Sequence, residues 1–211
     1  MDAEIDAIVR SRPTLLKILE KRGYDVSSQV NTSPETIYKL GLTDPELLNF
    51  TIPKKADSLA PVNNAHVIYH LQPIRLRVAG LVEAILEDES RTAENDEWLH
   101  ILTEPYNEVF DVTAAKQWNI RKIRMNFYPV KSIITDPTTH VLVPPHRKLT
   151  PAEIETVMAA LSLKSKTELP HIKFHRDMTA RVLGLAPGDI VEITRPPETA
   201  GSYTMYRVCT L

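Results

Sequence analysis

Apolar residues near the start of the chain recur at helical spacing. Ile5, Ile8 and Val9 share one face, and beyond Pro13 the run Leu15, Leu16, Ile18, Leu19 makes another. The pattern predicts two short helical stretches divided by the proline, with Gly23 as the residue that closes the second. Ser33-Pro34-Glu35-Thr36 and Thr43-Asp44-Pro45-Glu46 each set a capping side chain just before a proline, which predicts two further short helices. Over 50–61 the composition turns to Pro, Lys, Asp and Ser, a loop signature. Segment 65–71 is apolar and aromatic enough for a strand. Pro73 then opens an amphipathic helix carrying Ile74, Val78, Leu81, Val82, Ile85 and Leu86. Its acidic exit, Glu87-Asp88-Glu89, opposes the helix dipole and predicts a frayed, solvated end. A second strand at 98–102 and apolar runs at 120–125 and 130–134 complete a strand-helix-strand pattern, an α/β layer.

The last third is punctuated more clearly. Thr150-Pro151-Ala152-Glu153 has the residues of a capping box, and the helix it starts carries Ile154, Val157, Met158 and Leu161. Asp177 is placed to cap a short helix ending at Gly184, and Ala186-Pro187-Gly188-Asp189 reads as a tight turn. Segments 190–194 and 203–209 alternate as half-buried strands, joined by Arg195-Pro196-Pro197-Glu198-Thr199-Ala200-Gly201. The expectation is an α+β chain of two domains: 1–137, and a small helix-and-antiparallel-sheet module over 138–211.

Composition narrows the function classes. An apolar fraction of 43% and a charged fraction of 25% are ordinary for a soluble globular chain, and no apolar run approaches membrane-spanning length. Met1-Asp2-Ala3-Glu4 is acidic where a secretory signal is basic, so a nuclear or cytosolic site is expected. With Cys209 as the single cysteine, an intrachain disulfide and a thiolate-rich zinc site are both excluded. The net charge of −2 gives neither half enough basicity to hold nucleic acid by counterion release alone.

Several spaced motifs in the last third carry a family resemblance. His140-Val141-Leu142-Val143-Pro144-Pro145-His146 resembles the H-x-L-V-P-x-H motif of the fifth-largest subunit common to eukaryotic RNA polymerases I, II and III, a family with a shorter archaeal counterpart. Leu169-Pro170-His171-Ile172 is similar to the family's L-P-x-I. The stretch from Asp177 to Gly188 resembles its D-P-V-A-x-x-x-G-L-x-x-G. Ile193-Thr194-Arg195-Pro196-Pro197-Glu198-Thr199-Ala200-Gly201-Ser202-Tyr203, closing with Tyr206-Arg207, resembles its I-x-R-x-S-E-T-A-G-x-Y-x-x-Y-R ending. Earlier in the chain, Leu19-Glu20-Lys21-Arg22-Gly23-Tyr24 resembles the opening of the eukaryotic jaw domain. Val112-Thr113-Ala114-Ala115-Lys116 is similar to that domain's T-P-S-A-K loop. Departures are Ala114 for Pro, Ala115 for Ser, Met178 for Pro, Pro197 for Ser, and Pro145 for an acid or lysine.

The resemblance implies a restriction-endonuclease-like jaw followed by an assembly domain, in a divergent eukaryotic or large-DNA-virus version, since archaeal relatives lack the jaw. It implies a non-catalytic polymerase subunit with no cofactor or metal. Its partners would be the largest subunit, the rest of the polymerase and downstream double-stranded DNA; neither a membrane nor a second copy of itself is expected. The location would be the nucleus in a cell, or the virion or cytoplasmic factory of a virus. The subunit interface would use His140, Pro144, His146, Pro170, Arg195, Pro196, Glu198, Thr199, Gly201, Tyr203, Tyr206 and Arg207. The residues near DNA would be Thr113, Ala114, Lys116, Arg121, Lys122 and Arg124.

The residues themselves bear on these roles. A restriction-type nuclease needs carboxylates on a metal ion and an acid-x-Lys pair, and no Asp or Glu here is followed two positions later by Lys. His66 and His70, and His171 and His175, have the four-residue spacing that binds zinc on a helix. In extended segments that spacing spans about 13 Å, so they read as surface or interface histidines. Cys209 reads as a half-buried strand residue. Arg121, Lys122 and Arg124, following Trp118, form the compact basic cluster with an aromatic beside it. Tyr203, Tyr206, Arg195 and Arg207 are residue types that anchor interfaces, and Pro196 and Pro197 hold the backbone extended. The alternative is a free-standing DNA-binding or nuclease-like protein with a borrowed C-terminal module, which would need a metal-carboxylate cluster and a continuous basic face. A regulator that binds transcription factors through the N-terminal part is a third reading.

Overall fold

One helix of 20 residues, α1 (Asp2–Lys21), opens the chain and continues unbroken past Pro13. The two predicted stretches are therefore one. Ile5, Ile8, Leu15, Ile18 and Leu19 form a single fully buried stripe in phase across the proline, which points outward, and their burial outweighs the backbone hydrogen bond the proline removes. The helix closes as a Schellman motif: the Tyr24 N–H donates to the Leu19 carbonyl (3.1 Å), the Gly23 N–H donates to that of Glu20 (2.9 Å), and Gly23 takes φ 94°. The computed structural model describes residues 2–56, 62–87 (backbone alone at 85–87), 96–195 and 203–211, in two units, Met1–Thr135 and Asp136–Leu211.

In the N-terminal unit, α1 is followed by α2 (Ser27–Val30) and α3 (Pro34–Thr43). Ser33 caps α3 by accepting from the Thr36 N–H (3.2 Å), and Asp44 caps the 3-10 turn Pro45–Leu48. Gly41 lets α3 approach α1 closely, since a Cβ there would stand 3.0 Å from the Ile5 side chain. Next comes β1 (Phe50–Pro53), where a loop was expected. Its Pro53 is tolerated because β1 is an edge strand, and Ile52 is fully buried. The sheet order is β1-β2-β3-β4, with β2 (Asn64–His70) antiparallel to β1. β2 is parallel to β3 (Asp96–Leu102), and β3 is parallel to β4 (Arg124–Pro129). β3 is buried at every position, as a central strand covered on both faces is.

Two helices pack on this sheet. α4 (Val78–Glu87) begins later than predicted, because the Ile74 and Arg75 N–H groups donate to the Glu104 carboxylate (2.6 and 3.2 Å) in a turn ahead of it. The side chains of Ile85 and Leu86, and Asp88-Glu89 of the acidic exit, lie outside the described residues. α5 (Glu108–Arg121), capped by Asn107, was not predicted. Its buried face is Phe110, Asp111, Thr113, Ala114 and Gln117, too polar and too small to make an apolar stripe. Run 120–125 divides between the end of α5 and the start of β4, and 130–134 contains a 3-10 turn, Val130–Ile133. Ile74, Val78, Val82, Trp98, Leu102, Phe110, Ile123 and Phe127 make the core between helices and sheet.

The C-terminal unit holds β5 (His146–Lys148), α6 (Pro151–Ala160), β6 (His171–Lys173), α7 (Met178–Val182), β7 (Ile190–Arg195) and β8 (Tyr203–Thr210). Its sheet order is β5-β7-β8-β6. The sheet is mixed rather than antiparallel throughout, because β6 runs parallel to β8. The Thr150–Glu153 capping box starts α6, and Asp177 caps α7 through the N–H groups of Thr179 (2.8 Å) and Ala180 (3.1 Å). Gly184 (φ 61°) closes α7 as Gly23 closes α1. Ile154, Val157 and Met158 pack half-buried on Leu149, Leu169, Ile190 and Val208, whereas Leu161 follows α6 and is exposed. Both units combine helices with sheets, so the fold class is α+β. Among the described residues no helix is long and apolar enough to cross a membrane.

Candidate functional site

The β7–β8 hairpin places the tyrosines and arginines. Arg195 pairs with Tyr203 at the end where the chain passes from β7 to β8, and Glu192 with Tyr206 and Val191 with Arg207 further along. Tyr203 is 63% exposed. Tyr206 is half-buried against the apolar cluster, and Arg207 donates to the His171 carbonyl (2.9 Å), tying β8 to β6. Pro196, Glu198, Thr199 and Gly201 lie outside the described residues.

The segment ahead of β5 is shaped by its own hydrogen bonds. Asp136 caps the 3-10 turn Pro137–Thr139, His140 Nδ1 accepts from the Leu142 N–H (3.2 Å), and the Val143 N–H donates to the His140 carbonyl (2.8 Å). This turn holds two large apolar side chains in water, Val141 at 92% exposure and Leu142 at 81%. His146 Nδ1 donates to the Pro144 carbonyl (2.5 Å), and the Thr194 N–H donates to that of Pro145 (3.1 Å). The turn thus lies at the end of the sheet where Arg195 and Tyr203 meet. Pro170 presents an exposed ring while its carbonyl accepts from the Val208 N–H (2.9 Å). Arg147 bridges Glu153 (2.7 Å) and Glu192 (2.6 Å), stiffening the junction of β5, β7 and α6. The Thr150 N–H, and then Arg147, hold the Glu153 carboxyl down to about 2.

Val141 and Leu142 went unmarked by sequence reasoning, although they sit inside the 140–146 motif. The signal was an apolar Val-Leu-Val run directly before Pro144-Pro145, too short for a helix and stopped before it could pair as a strand.

In the N-terminal unit the basic cluster gathers on Trp118. Lys122 Nζ is 5.6 Å and the Arg124 guanidinium 5.5 Å from its ring centroid, both within cation–π range. Arg121, Lys122 and Lys116 are exposed. Val112-Thr113-Ala114-Ala115-Lys116 is not a loop but the middle of α5. Ala114 is in the core, and the Thr113 hydroxyl donates to the Val109 carbonyl (2.8 Å), so neither offers a surface to DNA.

Buried polar groups stitch the sheet together. The Arg22 side chain, buried, donates to Glu97 and to the Tyr128 hydroxyl (2.5 Å). Glu97 also accepts from the Tyr24 hydroxyl (2.8 Å) and Asn126 Nδ2 (3.1 Å). Burial alone would lower the Arg22 pKa, but the Glu97 charge overrides it and the net shift is upward. Burial first, and Glu97 second, drive the Tyr24 phenol upward. Glu97 is thereby saturated with donors. His66 bonds Thr51 Oγ1 (2.8 Å) and Asp96 Oδ2 (2.9 Å) and stacks on Trp98, while His70 Nε2 meets His100 Nδ1 (2.9 Å). The surface reading of His66 and His70 is therefore corrected: both are buried, facing the layer between sheet and helices. Cys209 is fully rather than half buried. Among the described residues no three His, Cys, Asp or Glu side chains converge as a metal site.

Residues 135–209 match the family described as RNA polymerase Rpb5, C-terminal domain. Over 206 residues the chain is 25% identical to "DNA-directed RNA polymerases I, II, and III subunit rpabc1" of Dictyostelium discoideum, covering 98% of each. The RPABC1 subunits of Caenorhabditis elegans and Caenorhabditis briggsae are each 37% identical over 87 residues, which is 41% of this chain and 40% of theirs.

Proposed function

From the match of residues 135–209 to the Rpb5 C-terminal domain and the full-length likeness to a subunit of RNA polymerases I, II and III, we propose that the chain belongs to that family and is a structural, non-catalytic subunit of a multisubunit DNA-directed RNA polymerase. Its C-terminal unit, over 138–211, docks on the largest subunit. Its jaw-like unit, over 1–137, braces downstream double-stranded DNA.

The observation that carries the docking reading is the exposed pair Val141 and Leu142, fixed on a hydrogen-bonded turn at the end of the sheet where Arg195 meets Tyr203. Burying each side chain is worth about 1.5–3 kcal/mol, a gain the isolated chain forgoes and a partner surface would collect. His140, Pro144 and His146 shape that turn, Tyr206 packs on the unit's apolar cluster, and Arg207 and Pro170 tie β8 to β6 at the opposite edge of the sheet. Pro196, Glu198, Thr199 and Gly201 join the same interface by their motif. The DNA-facing part rests on Lys116, Arg121, Lys122 and Arg124, which give a few phosphate contacts once the rest of the machine supplies affinity. The chain then works in the nucleus of a cell, or in the virion or cytoplasmic factory of a virus.

Affinity purification of the tagged chain tests this. Stoichiometric recovery of the two largest polymerase subunits is expected. Recovery of the chain alone, with metal-dependent DNA cleavage, would overturn it.

A further inference from the structure

Arg12, on α1, is a buried cation with 6% of its surface exposed. Its guanidinium lies 4.4 Å from the Phe50 ring centroid and 6.0 Å from that of Tyr69. Nη2 donates to Gln29 Oε1 (2.7 Å), Nη1 reaches the Tyr69 hydroxyl only at 3.5 Å, and Nε has no hydrogen-bond partner. Among the described residues no carboxylate pairs with it. Arg22 differs, because Glu97 neutralises it. An enclosed guanidinium held by one amide and two ring faces still lacks an anion.

Beside Arg12 and Gln29 a cavity of about 290 Å³ opens among α1, α2 and α3, with Val9, Leu16, Val26, Val30 and Ile37 as its apolar walls. A cavity of about 150 Å³ accommodates benzene, so this one has room for two fused rings. Lys17 stands on the rim as a second cation. Glu20, the acid in the lining, is largely exposed and turned to Lys55 (3.3 Å).

We propose that this cavity binds a small amphiphilic carboxylate: an apolar body of up to two rings in the cavity, with its carboxylate on the Nε–Nη2 edge of Arg12. That edge presents two parallel N–H donors, the geometry that receives a carboxylate side-on; Nε is enclosed but unpartnered, and the acid takes the edge by displacing the Gln29 amide from Nη2. The same pair of features occurs in a free aromatic acid and in the C-terminal residue of a polypeptide.

The test is titration of the full chain with 2-naphthylacetate, followed through the methyl resonances of Val30 and Ile37 and through thermal unfolding. The acid is expected to shift both methyls and raise the unfolding temperature, with the neutral 2-naphthaleneethanol about tenfold weaker or worse. Gln29→Glu supplies Arg12 with an internal carboxylate at constant size. It is expected to raise the unfolding temperature of the free chain and to weaken the acid about tenfold. Arg12→Met weakens the acid likewise; Gln29→Glu keeps the test sound if Arg12→Met does not fold. A Gly-Gly-Phe peptide distinguishes the sources: tighter binding than naphthylacetate, lost in the peptide amide, assigns the site to a chain terminus, and weaker binding assigns it to a free acid. Equal affinity for acid and alcohol, unchanged binding by Gln29→Glu, or silent Val30 and Ile37 methyls overturns the proposal. None of these readouts depends on polymerase assembly.

Discussion

His70 on β2 and His100 on β3 meet through their ring nitrogens at 2.9 Å, stacked with centroids 5.1 Å apart, and the His100 ring stacks in turn on Phe127. One ring must donate and the other accept, so the acceptor ring is neutral and the contact is lost if both are protonated. Burial, then the Arg77 charge, pushes His70 down to about 4; burial, then His70, pushes His100 down as well. In the unfolded chain both titrate near 6.5. Between these limits the unfolded state binds protons that the folded state refuses, so stability falls as pH falls through this window. The expected slope is about 1.4 kcal/mol per pH unit for each histidine. Urea unfolding of the N-terminal unit between pH 7.5 and 4.5 measures it, and a flat profile contradicts the neutral pair.

Arg22 and Glu97 form a buried ion pair whose carboxylate also takes the Tyr24 hydroxyl and Asn126. Removing one charge strands the other. Glu97→Ala is therefore expected to cost about 3–5 kcal/mol, and the apolar double variant Arg22→Met/Glu97→Leu distinctly less. Equal losses in chemical denaturation would show that the cost is packing and not charge.

The short helix α7 depends on its two ends. Asp177 satisfies two first-turn N–H groups, and Gly184 supplies the left-handed residue at φ 61° that closes the Schellman motif. Asp177→Ala and Gly184→Ala are each expected to cost about 1 kcal/mol, through a lost cap and a strained backbone respectively. Circular dichroism melts read both. An unaffected midpoint for either variant would mean that packing alone holds the five-residue helix.

Elements with local start and stop signals were legible in the chain itself. Thr150 with Glu153, Asp177, and the glycines at 23, 184 and 188 each act within a few residues, so the C-terminal helices and the turn before β7 could be read directly. α5 escaped because Ala114, Gln117 and Asp111 are buried only by what the sheet places opposite them. β1 escaped because its Pro53 and polar neighbours look like a loop until β2 is there to pair with. Pro13 was read as a break, although an exposed proline with a continuous stripe beneath it only dents a helix. The same limit applies to function: motif spacing marked 140–146, but which of those side chains faces water depends on the His140 turn.

That turn yields the last expectation. Val141 and Leu142 touch little of their own unit, so Val141→Ser/Leu142→Ser should leave the stability of the isolated chain within about 0.5 kcal/mol. If the pair is a docking anchor, the same variant loses two apolar side chains from the buried centre of an interface, where such truncations commonly cost about 2 kcal/mol or more together. That predicts roughly a thirtyfold loss in competition against the parent chain for incorporation into polymerase. Tyr203→Ala at the same end of the sheet should add to the loss, whereas Lys164→Ala, exposed and away from that end, should not. A serine pair that folds normally and still competes on equal terms would remove this turn from the interface.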